Sequence, residues 1–573
     1  MSRVKFPFRL GLASSASHHR LDMQITSARF ALASLAVSLL LVGCSRRTTD
    51  VEIGNREGIL HLGGGGEPRD LDPTTNIGSA ENRILATLFE GLVIPSADGK
   101  KIVPAAAERW DLSPDGRVYT FHLRPSLKWS NGDPVTADDF LYGFRRIVEP
   151  AVGAEAAQQA FIITGARAYV EGRTKELQSV GFRVVDPLTF EITLENPAPY
   201  FLGQLCYYPF YPLHRPTLEK FDGYLRRNSG WTRPGNLVGN GAFRLKSWRA
   251  NESVVVEKNP VYWDAERVRL REVFFHSIDN PDAEELAFRG GRLHVTYALS
   301  ATKTEAYRAA KSPYLHTEAE LRTNWITFNV AEPPFIDGRV RRALAFAIDR
   351  EALARDVLRG QRPAENIVVP SAGGYLGTAK LVRNPERART LLAEAGFPGG
   401  VGFPKITLNY TSRAGWKEAC EALQYMWQKE LSIRVELAQL EYKVWLDALR
   451  TRKHQLIYDG WGSFVDDPVE WVGLYASRSP NNDAGWVNAE YDAHVRGAER
   501  AITQEERFGY FRAAETIMLD EMPILPLYHT NRNYLMQTSV RGWQDNLLDV
   551  HPLKEVWLDA AGANARPATI AHP

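Results

Sequence analysis

The sequence predicts an α/β protein with more than one domain, and three observations carry that prediction. Its 573 residues exceed what one hydrophobic core usually sustains, roughly 250–300 residues. The first half is dominated by period-two runs closed by turn residues, the pattern of hairpins. From Ile406 onward, strand-like and helix-like segments alternate, an order that gives parallel strands joined by helical crossovers.

The N-terminus carries an address. Residues 31–42, ALASLAVSLLLV, are uncharged; Arg29 precedes them, and Gly43 and Cys44 end them. That length suits the core of a signal peptide and is too short to cross a bilayer. LVGC at 41–44 resembles a bacterial lipobox, which would make Cys44 the lipid-bearing first residue of the mature chain. A buried helix with a chance cysteine is the alternative. Residues 1–22 are long and polar for a leading segment, so Met23 makes the better start. Residues 1–43 are read as a signal region and 44–57 as a polar, lipid-attached linker. After Cys44 only Cys206 and Cys420 remain. A disulfide scaffold is thereby excluded, and both thiols are expected to be free. No later segment is apolar enough to span a membrane.

Residues 109–123 read as a hairpin turning at Asp115 and Gly116, and residues 183–194 as a second turning at Asp186 and Pro187. Thr136 begins a helix with Asp139 in the answering position of a capping box, and Phe140, Leu141, Phe144 and Ile147 follow at helical spacing. Strands are expected at 243–248, 254–257 and 272–278. Residues 340–358 present Val340, Ala343, Leu344, Ala347 and Ile348 on one face, a core helix. Asn384 and Pro385 open another helix, and Gly396 closes it. Strands at 406–410, 433–440 and 456–458 then alternate with helices at 417–431 and 442–450. Ligands in such units bind beyond the C-terminal ends of the strands, where YDGWGSFVDDP lies at 458–468.

Composition narrows the function. The 69 basic and 68 acidic residues leave a net charge of +1, which gives no reason to expect a nucleic-acid surface. The 14 Trp and 22 Tyr mean either packing or an aromatic-lined cleft. GGGG at 63–66 lacks the register and the Lys of a phosphate loop, so close passage of the backbone explains it better. There is no GxSxG elbow, no HExxH helix and no metal-spaced His or Cys. No catalytic, metal or cofactor residue is therefore assigned. An enzyme stays open as an alternative, because triads are recognised by geometry. The acids at 466–467 look catalytic at first. However, Asp467, Pro468 and Glu470 fit N-cap, N1 and N3 of a helix start, and adjacent carboxylates cannot flank a scissile bond. Asp466 stays undetermined.

The stretches LFEGL at 88–92, YTFHLR at 119–124, KWSNGDPVTADDF at 128–140, VGNGAF at 238–243, EKNPVYW at 257–263, PPFIDGRVR at 333–341, AIDR at 347–350, PILPLY at 523–528 and GW at 542–543 occur in that order. Together they closely resemble the oligopeptide-binding protein family, family 5 of the extracytoplasmic solute-binding proteins of ABC importers. The resemblance covers about residues 58–558. It implies a two-lobed periplasmic-binding-protein fold, class II-like, with an inserted domain. Lobe I would combine 58–89, 206–303 and 529–562, the inserted domain would be 90–205, lobe II would be 304–528, and 563–573 would be a tail. It implies hinge closure over a peptide held by main-chain hydrogen bonds. The partners would be a peptide or peptide-like ligand, a permease in the inner membrane, and the membrane itself through the lipid on Cys44. The protein would be a periplasmic monomer that binds no nucleic acid. A non-transport receptor or chaperone-like binder and a peptide hydrolase are the alternatives. The ligand-binding segments carry over to Ile77, Gly78 and Ser79, to Asn240, to Gly460, Trp461 and Gly462, and to the aromatics Tyr442 and Tyr528. Two positions depart. Phe464 stands where relatives place an aspartate for a peptide's free amine, and Tyr458 stands where they place an arginine near the far end of the peptide. Either Asp466 supplies the missing carboxylate, or the ligand has no free amine there.

Overall fold

The computed structural model describes residues 48–76, 78–413, 415–463 and 465–560. Cys44, Ile77 and Phe464, and the signal-region reading, lie outside the described residues.

Among the described residues, three sheets of four or more strands organise the chain. In the first, the order is Ile59–Gly63, Glu272–His276, Ser253–Lys258 and Phe243–Arg249. Its first pair is parallel and the rest antiparallel. Val254, Val255 and Val256 are all buried, so both faces of this sheet are covered. The glycine run closes the first strand. A β-carbon on Gly63 would lie 2.1 Å from Glu284 Oε1, and Gly65, at φ 67°, faces the ring of Tyr297. Close passage is thus the reason for these glycines.

The second sheet is an antiparallel set of Ala107–Leu112, Val118–Leu123, Thr189–Thr193 and Phe182–Asp186. Both expected hairpins are present. Tyr119, Phe121, Phe190 and Ile192 alternate inward against the helix Ala137–Val148, whose Thr136–Asp139 capping box is formed.

The third sheet has six strands in the order Arg362–Pro363, Ile524–Leu535, Leu315–Phe328, Leu456–Gly462, Ile406–Thr411 and Val435–Leu440. The last three are parallel to one another, joined through the helices Trp416–Leu431 and Tyr442–Arg450. Leu315–Phe328 and Ile524–Leu535 are long because they continue as a two-stranded ladder past the other strands of this sheet. Their register breaks between Ala319 and Thr323. Beyond the break Met536 bridges Val295, which bridges Leu62 of the first sheet.

Two expectations are corrected. Residues 50–57 are not linker. Asp50–Glu57 is a helix with Val51, Gly54 and Asn55 buried; Val51 N donates to Gly291 O at 2.9 Å, and Asn55 Oδ1 lies 3.3 Å from His294 Nε2. The residues that bury it lie more than two hundred positions away. The helix expected over 340–358 is also broken. Gly338–Phe346 stops, and Arg350–Ala352 restarts with Asp349 accepting from Ala352 N at 2.9 Å. The break turns the Arg350 guanidinium inward, where it donates to Pro526 O at 2.7 Å and Ala345 O at 3.2 Å.

Candidate ligand-binding site

The strand Leu456–Gly462 runs antiparallel to Leu315–Phe328, pairing Tyr458 with Ile326, Gly460 with Asn324, Trp461 with Thr323 and Gly462 with Arg322. Alternation decides which side chains face which way. Its glycines are required by the neighbouring strand. A β-carbon on Gly460 would lie 2.8 Å from Asn324 Oδ1, and one on Gly462 would lie 2.7 Å from Arg322 Nη2. Trp461 between them is half-buried, with its side chain beside the carboxyl of Glu470. Tyr458 is fully buried. Its ring packs 4.5 Å from that of Trp416, and its hydroxyl donates to the Tyr528 hydroxyl at 3.1 Å. Burial pushes the Tyr528 phenol up to about 12. Tyr458 and Tyr528 are therefore the floor beneath the strand in this conformation.

A cavity of about 1060 Å³ opens past the end of this strand, lined by 98–102, Tyr200, Leu202 and Gly203 and by Gly373, Gly374, Val465 and Asp466. Residues 317–319 and 545–548 complete it. The ring of Tyr200 lies under the Arg507 guanidinium at 4.9 Å. Arg507 holds Asp467 bidentately, with both contacts at 2.6 Å. Asp467 also accepts from Val469 N at 2.9 Å, but the N-cap of the short helix Val469–Val472 is Pro468, one position later than expected. The expected capping box does not close, because Glu470 turns away and accepts from Ser463 Oγ at 3.1 Å. Burial raises its carboxyl to about 7. Asp466 accepts from Gly373 N at 2.7 Å, and burial raises its pKa as well. Among the described residues neither Asp466 nor Glu470 has a cationic partner.

The other expected contacts are distributed unevenly. Gly78 is the N-cap of the helix Ser79–Leu88. The turn before it is anchored by Asp72, which pairs bidentately with the buried Arg146 at 2.7 Å. Asn240 is buried, and its side chain is fully engaged with one backbone unit, accepting from Glu90 N at 2.9 Å and donating to Glu90 O at 2.8 Å. It fixes the 238–243 loop rather than presenting its amide. Tyr442 is 47% exposed and stacks on Trp445 at 5.7 Å.

Tyr200 is a cavity residue that sequence reasoning missed, as it missed Arg507 and Glu470, which stand behind the lining. Arg507 lies forty positions from its partner, and no local pattern marks that pairing. Glu318, Asp549 and His551 converge within 4.8 Å. They form an ion-pair network rather than a metal centre, because Arg83 donates to Asp549 at 2.6 Å and Arg532 donates to both Asp549 and Glu318.

Comparison with known proteins places this architecture. Residues 101–483 match the family model described as "Bacterial extracellular solute-binding proteins, family 5 Middle". The "Probable deoxycholate-binding periplasmic protein YgiS" of Escherichia coli is 31% identical over 504 residues, 86% of this chain and 92% of that protein. The "Oligopeptide-binding protein OppA" of Bacillus subtilis is 30% identical over 489 residues, 83% of this chain and 88% of that protein. The Escherichia coli murein tripeptide binding protein MppA superposes with a TM-score of 0.76 at 30% identity, covering 87% of this chain and 98% of its own. These neighbours have the multi-domain, two-lobed α/β fold that the sequence led us to expect. Their family consists of binding proteins rather than enzymes. The chain belongs to the bacterial extracellular solute-binding proteins of family 5.

Proposed function

We propose that this protein captures peptides or peptide-like solutes outside the cytoplasm, closes over them and delivers them to the permease of an ABC importer, held to the membrane as a monomer by lipid on Cys44. The observation that carries the reading is the cavity of about 1060 Å³ beyond Gly462, a volume suited to a small extended ligand. The division into lobe I (58–89, 206–303, 529–562), inserted domain (90–205) and lobe II (304–528) is supported by the three sheets. Leu315–Phe328 and Ile524–Leu535, which continue past the other strands beyond a register break, would serve as the hinge. The backbone of Gly460, Trp461 and Gly462 would hold the peptide main chain, with Gly78 and Ser79 across from it. Asp466 would meet a ligand cation. It lines the cavity, and an ammonium there would relieve an otherwise uncompensated carboxylate.

Native mass spectrometry of gently purified protein, followed by calorimetry with matched free and N-acetylated peptides, tests this. Retained or titratable peptide is expected, with the free amine preferred and the preference lost in Asp466→Asn. Failure of a peptide library to bind would overturn the peptide reading. A second reading, an amphipathic acid, is favoured by the name of the relative YgiS, and titration with deoxycholate tests it.

A further inference from the structure

Three histidines meet beneath the helix Asp50–Glu57, and none of them lines the cavity. His61 lies on the strand Ile59–Gly63, His276 ends its parallel partner Glu272–His276, and His294 precedes the bridge of Val295 to Leu62. The rings stack, with centres 5.4 Å apart for His61 and His276 and 5.7 Å apart for His61 and His294. All three are buried, His294 completely.

The hydrogen bonds fix where the protons of this cluster sit. His61 N donates to His294 Nδ1 at 3.0 Å, and His294 N donates to His61 O at 2.8 Å. Nδ1 of His294 therefore presents a lone pair, and its one ring proton is on Nε2. That nitrogen faces the helix. Asn55 Oδ1 lies 3.3 Å from it, and the Val51 carbonyl accepts from the same ring. Gly54 permits this approach, because a β-carbon there would lie 2.7 Å from His294 Cε1. On the other side, His61 Nδ1 and His276 Nε2 are 3.1 Å apart, so a single proton joins them. A further proton at either place would set N–H against N–H and break the bond.

The surrounding charges do not make room for one. Asp50 of the helix and Glu272 of the strand favour a charged His61, whereas Arg292, beside His294, opposes it. Burial is the largest influence on all three rings, and it holds His276 and His294 down to about 3. The other ties of the helix include Val51 N on Gly291 O at 2.9 Å and an exposed ion pair of Glu57 with Arg271 at 2.7 Å.

We propose that His61, His276 and His294 form an acid-sensitive clasp, which holds the N-terminal helix against the first sheet while the rings are neutral and lets it go when they take up protons. The direction follows from where the rings bind protons more tightly. Once released into water they regain a value near 6.5, so docking is fully stable above about that pH and weakens as pH falls below it. Because Cys44 is the proposed lipid site, release would lengthen the tether between membrane and body. That consequence rests on the anchor reading, whereas the clasp does not.

Hydrogen exchange of the full chain, read by mass spectrometry from pH 5 to 8 and corrected for the intrinsic pH dependence of exchange, tests the clasp. Peptides covering 50–57 should lose protection by roughly a hundredfold per pH unit below about pH 6, since each ring protonated on opening contributes up to tenfold. Peptides covering the strand Leu456–Gly462 should keep theirs. His276→Gln and His294→Asn, which leave a polar side chain without a titrating ring, should each make the slope about tenfold per unit shallower. A slope under tenfold per unit in the unsubstituted protein overturns the clasp. So does a parallel loss of protection at 456–462, which would mean that the whole fold opens, or a slope that survives both substitutions.

Discussion

Two kinds of carboxylate occur among the buried and half-buried acids of this chain. Asp72 and Asp467 each receive a guanidinium at two points, from Arg146 and Arg507. Asp459, Asp466 and Glu470 have no cationic partner among the described residues, and burial raises all three. The difference separates acids compensated within the fold from acids that are not. A paired carboxylate has its desolvation offset inside the fold and can be packed tightly. An unpaired one is retained at a cost to stability, which makes sense where something from outside completes it. Asp467 and Asp466 are neighbours in sequence, yet they fall on opposite sides of this line.

The largest effect should come from breaking the pairs. Asp72→Ala strands the fully buried Arg146 guanidinium, which keeps only its bonds to Tyr224 O and Gly223 O, and should lower stability in urea by about 3–5 kcal/mol. A loss under 1 kcal/mol would show that the pair is not scaffold. Arg507→Ala should cost nearly as much, and it should also weaken closure, because the ring of Tyr200 loses its cation.

A smaller, pH-dependent effect distinguishes Glu470. Its folded pKa of about 7 lies above its unfolded value of 4.5. Glu470 binds its proton more tightly when folded, so its stabilising contribution is complete below about pH 4.5 and declines as pH rises toward 7. Glu470→Gln should therefore gain on the wild type by about 2–3 kcal/mol between pH 4.5 and 8, read from paired urea melts. Parallel pH curves for the two proteins would remove Glu470 from the unpaired class.

The smallest effect on stability is expected at Asp466. Asp466→Asn should leave stability in urea within about 0.5 kcal/mol of wild type, or slightly above it, since burial disfavours the ionised carboxyl that the amide replaces. A ligand cation should nonetheless bind the variant less tightly. A large loss of stability without loss of binding would place Asp466 with the scaffold and end the comparison.

Much of this protein was determined by its sequence alone. The hairpins at Asp115–Gly116 and Asp186–Pro187, the Thr136–Asp139 capping box and the Asn384 cap depend on residues within a few positions of each other, and all are present in the fold. The strand–helix alternation after Ile406 placed the Trp461 segment at the end of a strand in the parallel set for the same local reason. Tertiary structure decided what depends on distant partners. Val51 and Gly54 became helix because residues near 291–294 cover them, and the 340–358 helix broke so that Arg350 could reach Pro526. Tyr458 became floor because Trp416 covers it, and Glu470 abandoned its cap for Ser463. Hydrogen bonds between near neighbours are written into local order, whereas burial and charge compensation exist only once the chain has closed on itself.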